Sequence, residues 1–104
     1  MARSKFQTLT EQMFYILLSL KEECYGMDIM DKVKSMTNGR VVVGSGTLYN
    51  LLEQFLEVEI IKETKVEGRR RSYILTEKGI DTLKKERERL ISQVLDYDKY
   101  FKGE

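Results

Sequence analysis

The sequence predicts a mainly α-helical fold with one small β-hairpin, and three observations carry that prediction. The stretch Gly44-Ser45-Gly46-Thr47-Leu48-Tyr49-Asn50-Leu51-Leu52 opens a short helix with small polar residues. Glu67-Gly68-Arg69-Arg70-Arg71 puts three arginines at a strand–turn–strand tip. Two further apolar helical segments precede both. The order helix–helix–helix–hairpin is that of a winged helix-turn-helix, and one further long helix follows it. The expected division is a winged helix-turn-helix over 1–76 and a C-terminal helix over 77–104.

Each element has its own signals. Thr8-x-x-Glu11 is a capping box, with Thr10 the alternative cap. Met13, Phe14, Ile16, Leu17, Leu18 and Leu20 then form a helix over about 9–23, apolar around most of its circumference and therefore expected to have neighbours on several sides. Gly26 marks a break. Met27, Ile29, Met30, Val33 and Met36 make a second amphipathic helix that Asn38-Gly39 stops. Val41-Val42-Val43 reads as a short extended segment. In the third helix Leu48, Leu51, Leu52, Phe55 and Leu56 share one face, and the first four of these are core.

The period then changes. Ile60 to Val66 and Ser72 to Leu75 read as two strands, with Glu67-Gly68-Arg69-Arg70 between them. Thr76 is the N-cap of a helix over about 77–101, in which Gly79 is a mild weakness. Ile80, Val94 and Phe101 occupy one heptad position of that helix and Leu83, Leu90 and Tyr97 the other; Arg87 interrupts the first row. So small a body cannot cover this stripe. Leu83, Leu90, Val94, Tyr97 and Phe101 are therefore expected to pair two copies of the chain.

The bulk numbers bound the function. A chain of 104 residues favours one small body with a thin core, for which a partner subunit is a common aid. The apolar run from Met13 to Leu20 is too short to span a membrane, and no signal peptide is visible, so a soluble, cytoplasmic protein is expected. There is no histidine and one cysteine, Cys24, so zinc chemistry is not expected. No nucleophile–base pair or phosphate-binding glycine loop stands out, and neither an enzyme nor a cofactor is expected. Net charge is only +1, but Arg3, Lys5, Arg40, Lys62, Lys65, Arg69, Arg70 and Arg71 lie outside the C-terminal helix. The mixed run from Lys84 to Arg89 reads as a solvated face.

A helix presenting Ser45, Thr47, Tyr49 and Asn50 can offer hydrogen bonds to base edges, and an arginine-tipped ribbon can offer cations to phosphates. Two classes stay open on the residues: a DNA-binding protein, and a winged-helix protein-interaction module that does not read DNA. Gln54, Glu57 and Glu59 favour the second a little.

Four pieces in order resemble the PadR family of bacterial transcriptional regulators. They are Leu9-Thr10-Glu11 with Tyr15-Ile16-Leu17; Tyr25-Gly26-Met27-Asp28-Ile29; Gly46-Thr47-Leu48-Tyr49-x-x-Leu52; and Glu67-Gly68-Arg69-Arg70-Arg71-x-Tyr73-x-Leu75-Thr76-x-x-Gly79. The resemblance runs from about residue 9 to 95 and fits the branch with a single C-terminal helix. It implies a homodimeric repressor on a pseudo-palindromic double-stranded DNA operator, released by a ligand. It assigns DNA contacts to Ser45, Gly46, Thr47, Tyr49, Asn50, Arg69, Arg70 and Arg71. An effector would be a small hydrophobic or aromatic molecule near the dimer interface, with Met13, Phe14, Val94, Tyr97 and Phe101 as its expected lining. The chain departs from the family pattern where Ser45 replaces a common proline and Gln54 a usual basic residue. Glu59 also stands where a glycine is usual before the apolar pair Ile60-Ile61.

Overall fold

Thr10, rather than Thr8, starts the first helix: its Oγ1 accepts the Met13 amide at 3.2 Å. The computed structural model describes residues 6–102, so Arg3 and Lys5 lie outside the described residues. In chain order the elements are α1 (Glu11–Ser19), β1 (Cys24–Tyr25), α2 (Gly26–Met36), α3 (Ser45–Glu57), β2 (Ile61–Glu67), β3 (Arg70–Leu75) and α4 (Glu77–Tyr100). The fold is the expected one, mainly helical with a small antiparallel sheet. That sheet has three strands in the order β1-β3-β2.

The unforeseen strand explains why α1 stops short of the helix expected over about 9–23. Leu20 and Lys21 close the helix with tighter bonds to Leu17 and Leu18. The Leu20 carbonyl then accepts the Leu75 amide at 2.9 Å, and Lys32 Nζ donates to the Ser19 carbonyl at 2.8 Å. The chain is thereby delivered to β3, where Cys24 pairs with Tyr73 and Tyr25 with Ser72. A two-residue strand carries too little alternation to be read from sequence.

The core is a single cluster. Ile16, Leu17 and Leu20 meet Ile29 and Val33 of α2, Leu48, Leu51, Leu52 and Phe55 of α3, and Ile60, Ile61, Tyr73 and Leu75 of the sheet and its approach. The face assigned to α3 is therefore its buried face. Val41 and Val43 are buried and Val42 is exposed, the in–out pattern of an extended segment, yet the segment joins no sheet. The Thr37 hydroxyl holds it by accepting the Val41 amide at 3.1 Å.

The junction of α3, β2 and α4 is dense in polar contacts. The Val58, Glu59 and Ile60 carbonyls take hydrogen bonds from Lys78 Nζ (2.8 Å), Thr76 Oγ1 (2.6 Å) and the Thr76 amide (3.1 Å). Thr76 Oγ1 also accepts the Gly79 amide at 3.1 Å, which caps α4 as expected. Glu59 has φ 64°, so the left-handed turn is kept without a glycine. A side chain there costs on the order of 1 kcal/mol.

Gly79 is more than a mild weakness. It is buried, and a Cβ on it would lie 2.0 Å from the Ile60 carbonyl oxygen. Its absence is what lets α4 start against the α3–β2 corner.

The mixed-charge run of α4 is not wholly solvated. Lys84, Lys85, Arg87 and Glu88 are exposed, but Glu86 is buried. Its Oε2 accepts the buried Leu9 amide at 3.3 Å, and Arg89 grips both oxygens at 2.8 and 2.5 Å. Those Arg89 hydrogen bonds hold the Glu86 carboxyl below its ordinary value, outweighing the burial that pushes it up. Because the folded-state value is depressed, the stabilisation is present at neutral pH. It is lost as pH falls through that lowered value, below the usual glutamate range near ~4.3. Glu86→Ala, which strands the Leu9 amide, is expected to cost about 1–3 kcal/mol at pH 7. In urea titrations that difference should be smaller at acid pH, below the lowered value, than at pH 7. An equal difference at both pH values would mean that the carboxylate contributes nothing as an ion.

Candidate nucleic-acid interface

α3 buries Leu48, Leu51, Leu52 and Phe55, so its other side faces out. Ser45, Gly46, Thr47, Tyr49 and Asn50 are all exposed. Gly44 occupies the N-cap and offers no side-chain cap, leaving the first amides of α3 open to an outside acceptor. A Cβ at Gly46 would meet nothing within 4 Å, so no internal packing demands glycine there. Asn50 Oδ1 accepts from Gln54 Nε2 at 3.4 Å. Gln54 thus restrains Asn50 while supplying no cation. α3 carries Glu53 and Glu57 and no lysine or arginine, so positive charge has to come from elsewhere.

The hairpin supplies it. Its turn is Gly68-Arg69, flanked by the cross-strand pair Glu67 and Arg70. Gly68 has φ 61°, which only glycine adopts freely and which suits the first turn position of a type II′ hairpin. Arg69 is at the tip, while Arg70 and Arg71 are the first residues of β3. Arg71 Nη1 pairs with Glu63 at 3.2 Å within the hairpin. The Arg70 guanidinium lies 4.1 Å from the Tyr25 ring centroid. Among the described residues Arg69 has no hydrogen bond or ion pair, so of the three wing arginines it is the one without a partner in the chain. The Tyr25 hydroxyl donates to Glu67 Oε1 at 2.8 Å. That bond to a carboxylate holds its proton and pushes the phenol above its ordinary value.

A groove of about 340 Å³ separates wing and body, lined by Tyr25, Gly26, Met27, Tyr49, Tyr73 and Arg69 to Arg71. It brings Tyr49 of α3 together with all three wing arginines. Ser45, Gly46, Thr47 and Asn50 lie on the exposed face of α3 outside this lining. Four residues of the groove are not among the site residues read from sequence: Tyr25, Gly26, Met27 and Tyr73. Tyr25 directly precedes Gly26, on which the Tyr49 ring rests. A Cβ on Gly26 would meet Tyr49 Cε1 at 3.2 Å.

The α4 face lies apart from this groove. Only Gly79 and Glu86 of α4 are buried. Leu90, Val94, Tyr97 and Phe101 are exposed, with Tyr97 and Phe101 stacked at 5.0 Å. Leu83 packs instead against the chain's own core, as do Met13 and Phe14 in part. Of the expected effector lining, Phe14 and Val94 share a shallow groove of about 330 Å³ with Leu90, Ile91, Leu95 and Arg87. Met13, Tyr97 and Phe101 are not part of it, and Arg87 gives it a charged edge. No helix among the described residues is long and apolar enough to cross a membrane.

The fold and the exposed α3 face beside an arginine-tipped wing define a winged-helix protein of the transcription-regulator type. Residues 16–85 match the description "Transcriptional regulator PadR-like family", and the chain belongs to that family. Solved structures agree in fold. A transcriptional regulator from Clostridium thermocellum is 24% identical, with 86% of this chain and 90% of that one covered and a TM-score of 0.73. A PadR-like transcriptional regulator from Bacillus cereus strain ATCC 14579 is 24% identical, with 88% and 91% covered and a TM-score of 0.69. A PadR family transcription regulator from hypervirulent Clostridium difficile R20291 is 26% identical, with 81% and 95% covered and a TM-score of 0.58. No curated protein matches the chain.

Proposed function

We propose that this PadR-like protein is a sequence-specific DNA-binding repressor of the bacterial cytoplasm. Residues 1–76 form its DNA-binding domain, and residues 77–104 pair two copies. One observation carries the reading: Tyr49 on the exposed side of α3 shares a groove with Arg69, Arg70 and Arg71. In a homodimer built on α4, two α3 helices would enter successive major grooves of a pseudo-palindromic operator, about 34–36 Å apart. Ser45, Gly46 and Thr47 would meet phosphate through the open amides of the α3 N-terminus, and Tyr49 and Asn50 would reach base edges. An effector of small hydrophobic or aromatic character would bind beside Phe14 and Val94, where the α4 groove meets the second copy. It would release DNA by favouring a dimer whose recognition helices are wrongly spaced.

The two groups of residues should fail differently. Loss of Tyr49 or Asn50 is expected to weaken a specific site more than random DNA. Arg69→Ala is expected to weaken both and to reduce the salt slope by roughly 0.9 for each phosphate it no longer neutralises. Fluorescence anisotropy on both DNAs over a salt series measures this. Identical profiles for the two groups would refute the division into readers and clamps. Glu53 and Glu57 favour a second reading, a winged-helix module that binds protein instead. Absence of binding to the DNA upstream of its own gene, tested by gel shift, would move the balance there.

A further inference from the structure

We propose that Tyr25 is a positioning residue for the wing, latching the hairpin tip to the start of α2 by holding Glu67 with its hydroxyl and Arg70 with its ring. The inference rests on the DNA-binding reading above and adds to it the device that aims the arginines.

The geometry is specific to the tip. β1 pairs with β3 only at Tyr73 and Ser72, so residues 66–71 extend beyond the three-stranded part as a two-stranded ribbon. Such a ribbon is marginal alone and strongly twisted, so its tip direction needs a tether. The Arg71–Glu63 pair lies within the hairpin and ties it to nothing else. Lys65 reaches Glu23 at 3.6 Å, nearer the base, through two exposed side chains. Among the described residues outside the hairpin, Tyr25 is the one that makes two different contacts at the tip, and they fall on the cross-strand partners that flank the turn.

The same short segment also sets the recognition helix. Tyr25 is followed by Gly26, whose missing Cβ leaves room for the Tyr49 ring. One dipeptide therefore registers Tyr49 on α3 against Arg70 on the wing. The chemistry leaves Arg70 useful. Stacking on a π face keeps its full charge and leaves N–H donors at the guanidinium edge for phosphate, whereas an ion pair would have neutralised it. Holding the arginine beforehand removes an ordering cost from binding.

The test compares Tyr25→Ala, Tyr25→Phe, Glu67→Ala and Arg70→Ala with the unsubstituted protein, each checked for folding by circular dichroism. In the DNA-free protein, Tyr25→Ala should drop the backbone order parameters of residues 67–71 from about 0.85 towards 0.6, with the core unchanged. On DNA it should weaken binding roughly tenfold and lower the salt slope by about as much as Arg70→Ala, roughly 0.9. Tyrosine carries no charge, so a change of slope can reach the DNA only through the charged groups it holds, Arg70 and Glu67, and the Glu67→Ala variant separates the two. Tyr25→Phe keeps the ring and should keep the slope. Tyr25→Phe with Glu67→Ala should cost no more tip order than either alone. Unchanged tip order and slope in Tyr25→Ala, in a protein that binds DNA, would overturn the latch. Loss of tip order in a protein that binds no DNA would instead overturn the DNA-binding reading, and the latch's role in aiming the arginines with it. If Tyr25→Ala does not fold, the Tyr25→Phe and Glu67→Ala pair decides the matter by the same order parameters.

Discussion

Gly79→Ala is expected to destabilise the protein by about 3 kcal/mol or more, although alanine is the better helix former by about 1 kcal/mol. The added Cβ would fall 2.0 Å from the Ile60 carbonyl oxygen and 3.0 Å from its carbon. Both are backbone atoms, and they cannot rotate away as a side chain would. The Ile60 carbonyl also accepts the Thr76 amide at 3.1 Å, so moving it strains the bond that holds the N-cap residue of α4. For a body of about 100 residues this corresponds to a loss of at least roughly 12 °C in Tm. Differential scanning calorimetry measures it. A neutral or stabilising result would mean that α4 can lift off the α3–β2 corner freely, contrary to the tight junction described above.

The second large effect concerns association. Replacing Leu90 and Val94 together by glutamate should abolish self-association while leaving the winged-helix core intact. Leu90 is 39% and Val94 59% exposed in the single chain, and Ile91, Leu95, Tyr97 and Phe101 continue the apolar surface. An apolar patch of this kind on a small body is an expected place of association. In a dimer built on α4 the double substitution would press four carboxylates into an apolar contact. Each unpaired buried charge costs several kcal/mol, so association should weaken at least roughly hundredfold. Sedimentation equilibrium should show a dimer for the unsubstituted chain and a monomer for the variant. A folded monomer in the unsubstituted chain would remove the basis for pairing through α4.

Much of this fold was legible in the sequence because it rests on local signals. Helix order followed from apolar spacing, the hairpin from the change of period, and the α4 start from Thr76. The α3 core face was readable because Leu48, Leu51, Leu52 and Phe55 repeat at helical spacing. Features set by contacts between distant segments were not readable. Cys24–Tyr25 is a strand only because β3 lies beside it. Glu86 looks like any surface charge until the Leu9 amide and Arg89 are placed around it. Gly79 looks like a poor helix residue until the Ile60 carbonyl occupies the space a methyl would need. The candidate site divides in the same way. The polar start of α3 and the three arginines stand out as motifs. Tyr25 stands in one of the four family pieces, but its hold on the wing was not readable, because its partners lie 42 and 45 positions further along the chain.

The Glu86 clasp has a mechanical consequence. It joins the segment entering α1 to α4 about ten residues after that helix begins, and beyond it α4 has no buried residue. The fulcrum therefore sits in the first half of a rod about 36 Å long, at about 1.5 Å per residue. From Glu86 to Tyr100 the free arm is about 21 Å, so a tilt of roughly 10° moves its end by about 4 Å. In a dimer joined along that arm, the same tilt swings the two winged-helix bodies in opposite senses. The separation of their recognition helices would change by several ångströms, against a major-groove repeat of about 34 Å. A guest wedged at the arm would need to open only a narrow gap to put both helices out of step with the duplex.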